Sequence, residues 1–145
     1  MGTHGNFSFP VLIEKDDDCF VLSFRDVPEA LGQVAAEDGA SLPDEARETL
    51  MIALRYYFKN GQTIPEASEV QRGEKLVELP LSFVAKIILH NTMIENNVRP
   101  VTLAKLLSLP RSEVARITNP ACKTKIDTMA AAVSAAGGIM RLVAV

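Results

Sequence analysis

Tryptophan is absent from this 145-residue chain, and cysteine and histidine occur only twice each. Cys19 and Cys122 fall outside any metal-ligand spacing and are too few for a disulfide scaffold, so both read as reduced thiols in packed or partly packed positions. His4 and His90 stand apart from each other and from any cysteine or acidic partner. That leaves no histidine-centred catalytic or metal constellation, and neither a cofactor nor a metal is expected. Long apolar runs are missing as well: the uncharged residues 128–140 fall short of the ~20 needed to cross a bilayer and include Gly137 and Gly138. Residues 1–6 lack the basic start and apolar core of a secretory signal, which makes the cytoplasm the expected location.

What is present is a division of charge. Residues 1–80 hold 7 Lys/Arg against 15 Asp/Glu, a net −8, whereas residues 81–145 hold 8 against 3, a net +5. The overall −3 therefore conceals two opposed surfaces, which suggests a basic macromolecule as partner for the first half and nucleic acid for the second. With 48% hydrophobic and 23% charged residues, both halves have the composition of folded protein.

In the first half, residues 7–15 and 19–24 are rich in β-branched and aromatic side chains around the turn Asp16, Asp17 and Asp18, a hairpin signal. Alternation places Phe7, Phe9, Val11 and Ile13 on one face and Phe20, Leu22 and Phe24 on one face of the next strand. Pro10 has no amide to donate, which favours an edge or entry position for the first strand. A third strand is expected over 33–37, after Pro28 and Gly32. Ser41 with Asp44 reads as a helix start, and Ala46, Leu50, Ala53, Leu54 and Tyr57 recur at helical spacing up to Gly61. Residues 76–79 read as a last strand, so the order is β-β-β-α-β. The aspartate run could in principle serve metal-assisted phosphodiester hydrolysis, but three consecutive side chains in a turn diverge, and Asp26 and Glu29 complete no convincing set.

Pro80 marks the boundary between domains 1–80 and 81–145. Phe83, Val84, Ile87, Ile88 and Ile94 form an apolar stripe, and two short helices follow over 101–107 and from Arg111 to before Pro120. Leu103, Ala104, Leu107, Leu109, Val114 and Ile117 are spaced as a helix-turn-helix requires, although Ser108 stands where that motif usually has Gly. The outward positions are then Arg111, Ser112, Glu113, Arg116 and Thr118. Arg111, Ser112 and Arg116 are the best placed for base edges, Glu113 for a cytosine amine or for orienting an arginine, and Lys105, Lys123 and Lys125 for phosphate. A helical hairpin of an ordinary bundle is the competing reading. Thr124 reads as the cap of a further helix ending at Gly137 and Gly138, and the apolar residues 139–145 as a strand-like tail. That tail either packs on its own domain or pairs with a second copy as a homo-oligomer.

Taken together, Phe9-Pro10-Val11, residues 24–30, residues 53–58 and residues 77–81, with Leu103-Ala104 and residues 124–127, resemble the HicB-type antitoxins. These are the inhibitory partners of HicA ribonuclease toxins. The resemblance implies an α+β chain: an N-terminal degenerate ribonuclease-H-like domain that binds the toxin, then a helix-turn-helix domain of the Xre/Cro type that binds the module's own promoter as a repressor. It assigns no toxin-contact residues within 1–80. The implied mechanism is non-catalytic masking of a small basic mRNA-cleaving enzyme, to which the acidic half is complementary. The alternatives are an active nuclease on the same scaffold, or a ligand-sensing helix-turn-helix regulator with no toxin partner.

Overall fold

The computed structural model describes residues 6–144, which divide into two compact units. Among these residues, one unit comprises 6–59 and 65–79, and the other 60–64 and 80–144. His4 lies outside the described residues.

The first unit is a four-stranded antiparallel sheet with one long helix. β1 (Ser8–Asp16), β2 (Cys19–Ser23), β3 (Leu31–Ala35) and β4 (Glu74–Glu78) stand in the order β3-β2-β1-β4. α1 (Leu42–Lys59) follows a 3-10 turn at Ala36–Ser41. Asp16 pairs with Cys19, which leaves Asp17 and Asp18 as a two-residue turn, and Asp17 takes the positive φ of 32° that tight hairpins favour. Alternation buries Phe9 and Val11 of β1 with Phe7 just before it, and Leu22 of β2 with Phe24 just after it, while Ile13 and Phe20, expected on the same faces, are half-buried. α1 covers this face with Ala46, Leu50, Ala53 and Leu54, all buried. Helix and sheet approach so closely that a Cβ on Gly32 would lie 2.8 Å from Thr49 Oγ1. This is why a glycine sits inside β3, and pairing with β2 from Leu31 opposite Ser23 to Ala35 opposite Cys19 makes the strand span 31–35 instead of the expected 33–37.

Two local expectations need correction. β1 is an inner strand, not an edge: it pairs with β2 over Leu12–Asp16 and with β4 over Ser8–Leu12. Pro10 is tolerated because it lies in the stretch where only β4 flanks the strand, so one side of the backbone has no ladder to supply. Ser41 does not cap α1 either, since its hydroxyl donates to the Asp38 carbonyl at 2.7 Å.

The second unit contains α2 (Leu81–Glu95), α3 (Pro100–Leu107), α4 (Arg111–Thr118) and α5 (Ile126–Ala135). Prolines mark the starts: Pro80 and Pro110 precede α2 and α4, and Pro100 opens α3, where its missing amide costs nothing. Leu89, Leu103, Val114, Ile117, Met129 and Val133 form the core, with Ala104 and Ala132 permitting close helix approach. The expected terminal strand is not formed. Residues 139–144 carry no ladder, because this unit offers no strand to pair with among the described residues, and Ile139, Leu142 and Val143 are exposed.

Three helices end in the same way. Asn97, Ser108 and Gly137 adopt positive φ of 54°, 54° and 99°, and the following amides of Val98, Leu109 and Gly138 return to the carbonyls of Met93, Ala104 and Val133 at 2.8, 3.0 and 2.9 Å. These are Schellman closures, in which a left-handed residue turns the chain and satisfies carbonyls of the last turn. Ser108 sits in that region with a Cβ that glycine would lack. Ser108→Gly is therefore expected to raise stability by about 0.5–1 kcal/mol, after the extra entropy of an unfolded glycine is subtracted; equilibrium denaturant unfolding measures it, and a loss would refute the strain.

Candidate functional site

The basic unit carries every residue that the sequence singled out for nucleic acid. Along α4 the 3.6-residue period sends Val114 and Ile117 into the core and leaves Arg111, Ser112, Glu113 and Arg116 exposed. Lys105 on α3 and Lys123 and Lys125 before α5 are exposed as well. Thr118 differs from the others. It is half-buried, and its hydroxyl donates to the Val114 carbonyl at 3.0 Å, so it serves its own helix. Seven polar positions are thus exposed, five of them on α3 and α4 and two, Lys123 and Lys125, in the segment that follows α4, and Ser108 turns the chain between α3 and α4.

Sequence reasoning missed two residues. Arg99 precedes α3 and lines, with Pro100, Val101 and Arg111, a shallow open cleft of about 420 Å³. Lys86 of α2 is 3% exposed, and its ammonium donates to the carbonyls of Arg116 and Ile117 at 3.0 and 2.7 Å and to Thr124 Oγ1 at 2.6 Å. These acceptors match its three protons, and the two carbonyls belong to the last turn of α4, where a helix dipole favours positive charge. Thr124, expected to cap α5, is instead an acceptor for Lys86, and Lys125 occupies the cap position with no side-chain bond. A signal for Lys86 was available: it is the lone charge between Leu81 and Leu89. Burial holds its pKa below the ordinary lysine value; the nearby Cys122 acts in the opposite sense and Arg116 in the same. Because the unfolded value is the higher of the two, folding releases a proton between them, and this group makes stability rise with pH only in that alkaline window.

On the acidic unit the carboxylates divide by role. Asp26 accepts from the amide and hydroxyl of Ser68, and Glu74 receives a bidentate pair from Arg25, Nε to Oε2 at 3.0 Å and Nη2 to Oε1 at 2.9 Å. The Arg25 bond, helped by the Gln71 amide, holds the Glu74 carboxyl below its ordinary value. Glu29 accepts from Tyr57, whose hydroxyl is pushed up to about 12 by burial first and then by that carboxylate. Its folded value exceeds the unfolded 10.0, so this contribution is complete below pH 10 and fades as pH climbs to about 12. Asp26, Glu29 and Glu74 therefore brace the scaffold. Asp16, Asp17 and Asp18 remain exposed, and the Ala36 amide donates to the Asp18 carbonyl at 2.8 Å, which brings Glu37 and Asp38 to the same end of the sheet. Among the described residues no group of three or more His, Cys, Asp and Glu is arranged to hold a metal ion, and no helix is long and apolar enough to cross a membrane. His90 Nε2 donates to the Gln62 carbonyl at 2.7 Å, and burial lowers its pKa.

Residues 6–88 match the model of a family described as HicB-like antitoxins of bacterial toxin–antitoxin systems. The chain belongs to the HicB-like antitoxin family. It is 37% identical over 141 residues to antitoxin HicB 2 of Photorhabdus laumondii, covering 97% of this chain and 98% of that protein. Antitoxin HicB of Escherichia coli K12 is 32% identical over 126 residues, covering 87% and 90%, and that of Pseudomonas fluorescens 26% over 133 residues, covering 90% and 89%. The family match spans the sheet, α1 and the first half of α2, Lys86 included, and alignment with the Photorhabdus HicB 2 antitoxin continues over nearly all of the rest.

Removing the Lys86 ammonium takes the lysine donor from the Ile117 carbonyl in a site closed to water and leaves the Arg116 carbonyl with only the Asn119 amide. Lys86→Met is expected to cost about 1–3 kcal/mol in denaturant unfolding, against no more than about 0.5 kcal/mol for Lys105→Met on the exposed surface; equal effects would show that the three bonds add nothing net.

Proposed function

We propose that this HicB-like antitoxin neutralises a HicA-type mRNA-cleaving ribonuclease by covering its active site with the acidic α/β unit, and represses its own operon through the helical unit. The observation that carries the first part is family membership together with a net −8 over residues 1–80, complementary to a basic RNA-cleaving partner. Opposite charge accelerates such an encounter and disfavours wrong partners. The unit acts by occlusion, as a ribonuclease-H-like scaffold whose Asp26, Glu29 and Glu74 are committed to Ser68, Tyr57 and Arg25.

The second part reads α3 and α4 as a helix-turn-helix. Its support is a pair of eight-residue helices joined by a three-residue turn, with Leu103, Ala104, Val114 and Ile117 packed between them and the exposed residues of α4 on a unit of net positive charge. In this reading α4 enters the major groove, Arg111, Ser112 and Arg116 reach base edges, and Glu113 accepts from a cytosine amine or orients an arginine. Lys105, Lys123 and Lys125 neutralise phosphate. A two-fold operator would be met by a dimer, for which the exposed apolar Ile139, Leu142 and Val143 are available.

Replacing Arg111 and Arg116 together with Ala separates the two activities. Operator affinity is expected to fall by at least tenfold in a mobility-shift titration, at about 1–3 kcal/mol per lost base contact, while calorimetric affinity for the toxin stays unchanged. Loss of both activities in a normally folded variant would contradict the division of labour.

A further inference from the structure

The cleft between the start of α3 and the start of α4 has two arginines on its rim and no acid in its lining, which is Arg99, Pro100, Val101 and Arg111. Among the described residues the ion pairs are Arg25–Glu74 and Arg47–Asp44, so neither Arg99 nor Arg111 has a carboxylate within ion-pair distance. Two arginines that line one concavity without a paired carboxylate make it a positive site, and an anion seated there gains two charge-assisted attractions. Guanidinium forks match the oxygens of a phosphate group better than any other common anion except carboxylate.

The geometry points to a binding site for one backbone phosphodiester of duplex DNA, held between Arg99 and Arg111. This rests on the DNA-binding reading above and adds a residue and a role to it. The cleft is shallow and open at about 420 Å³, and its remaining walls, Pro100 and Val101, bring no further side-chain donors. Such a shape admits a phosphate presented on a polymer and lacks the enclosing donors that retain a free ion. Arg111 is thereby reassigned: bound to phosphate, it fixes the register of α4 on the duplex and carries no sequence information, which leaves Ser112 and Arg116 to discriminate bases.

The test uses the full-length chain and two duplexes of equal length, one from the region upstream of its own operon and one of random sequence, titrated by fluorescence anisotropy from low to moderate salt. Each phosphate contact contributes about 0.9 to the slope of log affinity against log salt. Because Arg111 still faces the shared phosphate, Arg99→Ala is expected to lower that slope by part of this amount, and Arg99→Ala with Arg111→Ala by about 0.9; Arg99→Ala weakens both duplexes by the same factor, leaving their ratio unchanged. Arg99→Lys, which keeps the charge, restores most of the slope. Both arginines are exposed, and a melting curve checks that the variants fold. If the wild type binds with a salt-dependent affinity and Arg99→Ala leaves the slope intact, or weakens only the upstream duplex, the phosphate site is wrong while DNA binding stands. Wild-type protein that binds neither duplex overturns both. Inorganic phosphate that competes at constant ionic strength, with a slope insensitive to Arg99→Ala, assigns the cleft to a free ion and overturns the site as stated.

Discussion

An ammonium group withdrawn from water must place each of its protons on an acceptor, and Lys86 finds three: two carbonyls at the end of α4 and the hydroxyl of Thr124. A single side chain of α2 thereby fixes the helix that carries Arg111 and Arg116 and the segment that carries Lys123 and Lys125. The aliphatic stem of the lysine also continues the apolar side of α2, so the charge is delivered without opening the core. Burial opposes the arrangement by disfavouring the charged form, and the helix dipole with the terminal carbonyls of α4 offsets that cost. The candidate DNA surface is in this sense an exterior consequence of an interior hydrogen-bond set.

The acidic unit depends on a different device, the sharing of β1 between two partners. Its first half pairs with β4 and its second half with β2, with Leu12 common to both ladders, so the strand binds the chain's local hairpin to a segment more than fifty residues later. Arg25 reinforces the same closure by holding Glu74, Ser68 and the Glu69 carbonyl, and Arg47 of α1 adds a bond to the Glu78 carbonyl at 3.2 Å. Acids used in this way brace the fold, and the exposed remainder around Asp16–Asp18, Glu37 and Asp38 gives the unit its negative face. Structural and electrostatic duties thus fall on different carboxylates within one strongly acidic segment.

Much of this was legible in residue order. Period-two alternation located Phe9, Val11, Leu22 and Phe24 in the core, helical recurrence located α1 and α2, turn and cap residues located α3 to α5, and the family could be seen in short segments spread along the chain. The boundaries that slipped did so for identifiable reasons. β3 began two residues early because Leu31 and Gly32 pair with Ser23 and Leu22 and the glycine there fits beneath Thr49 of α1, and Thr124 was drawn away from its helix by Lys86. The strand expected after Gly138 failed because a strand is defined by its neighbour, and the apolar residues near the terminus find none in their own unit among the described residues.

Charge, periodicity and turn chemistry are properties of position along the chain, and they were enough to assign an α+β architecture, an acidic half, a basic half and the exposed face of α4. Which of two identical side-chain types is buried, and which distant residues meet, are properties of position in space. Lys86 and Lys105 look alike in sequence, yet one is sealed beneath α4 and the other is exposed; Arg99 and Arg111 are twelve residues apart, yet line one cleft. Those juxtapositions arise from helix packing angles and strand pairing, which couple residues across separations that no local pattern encodes.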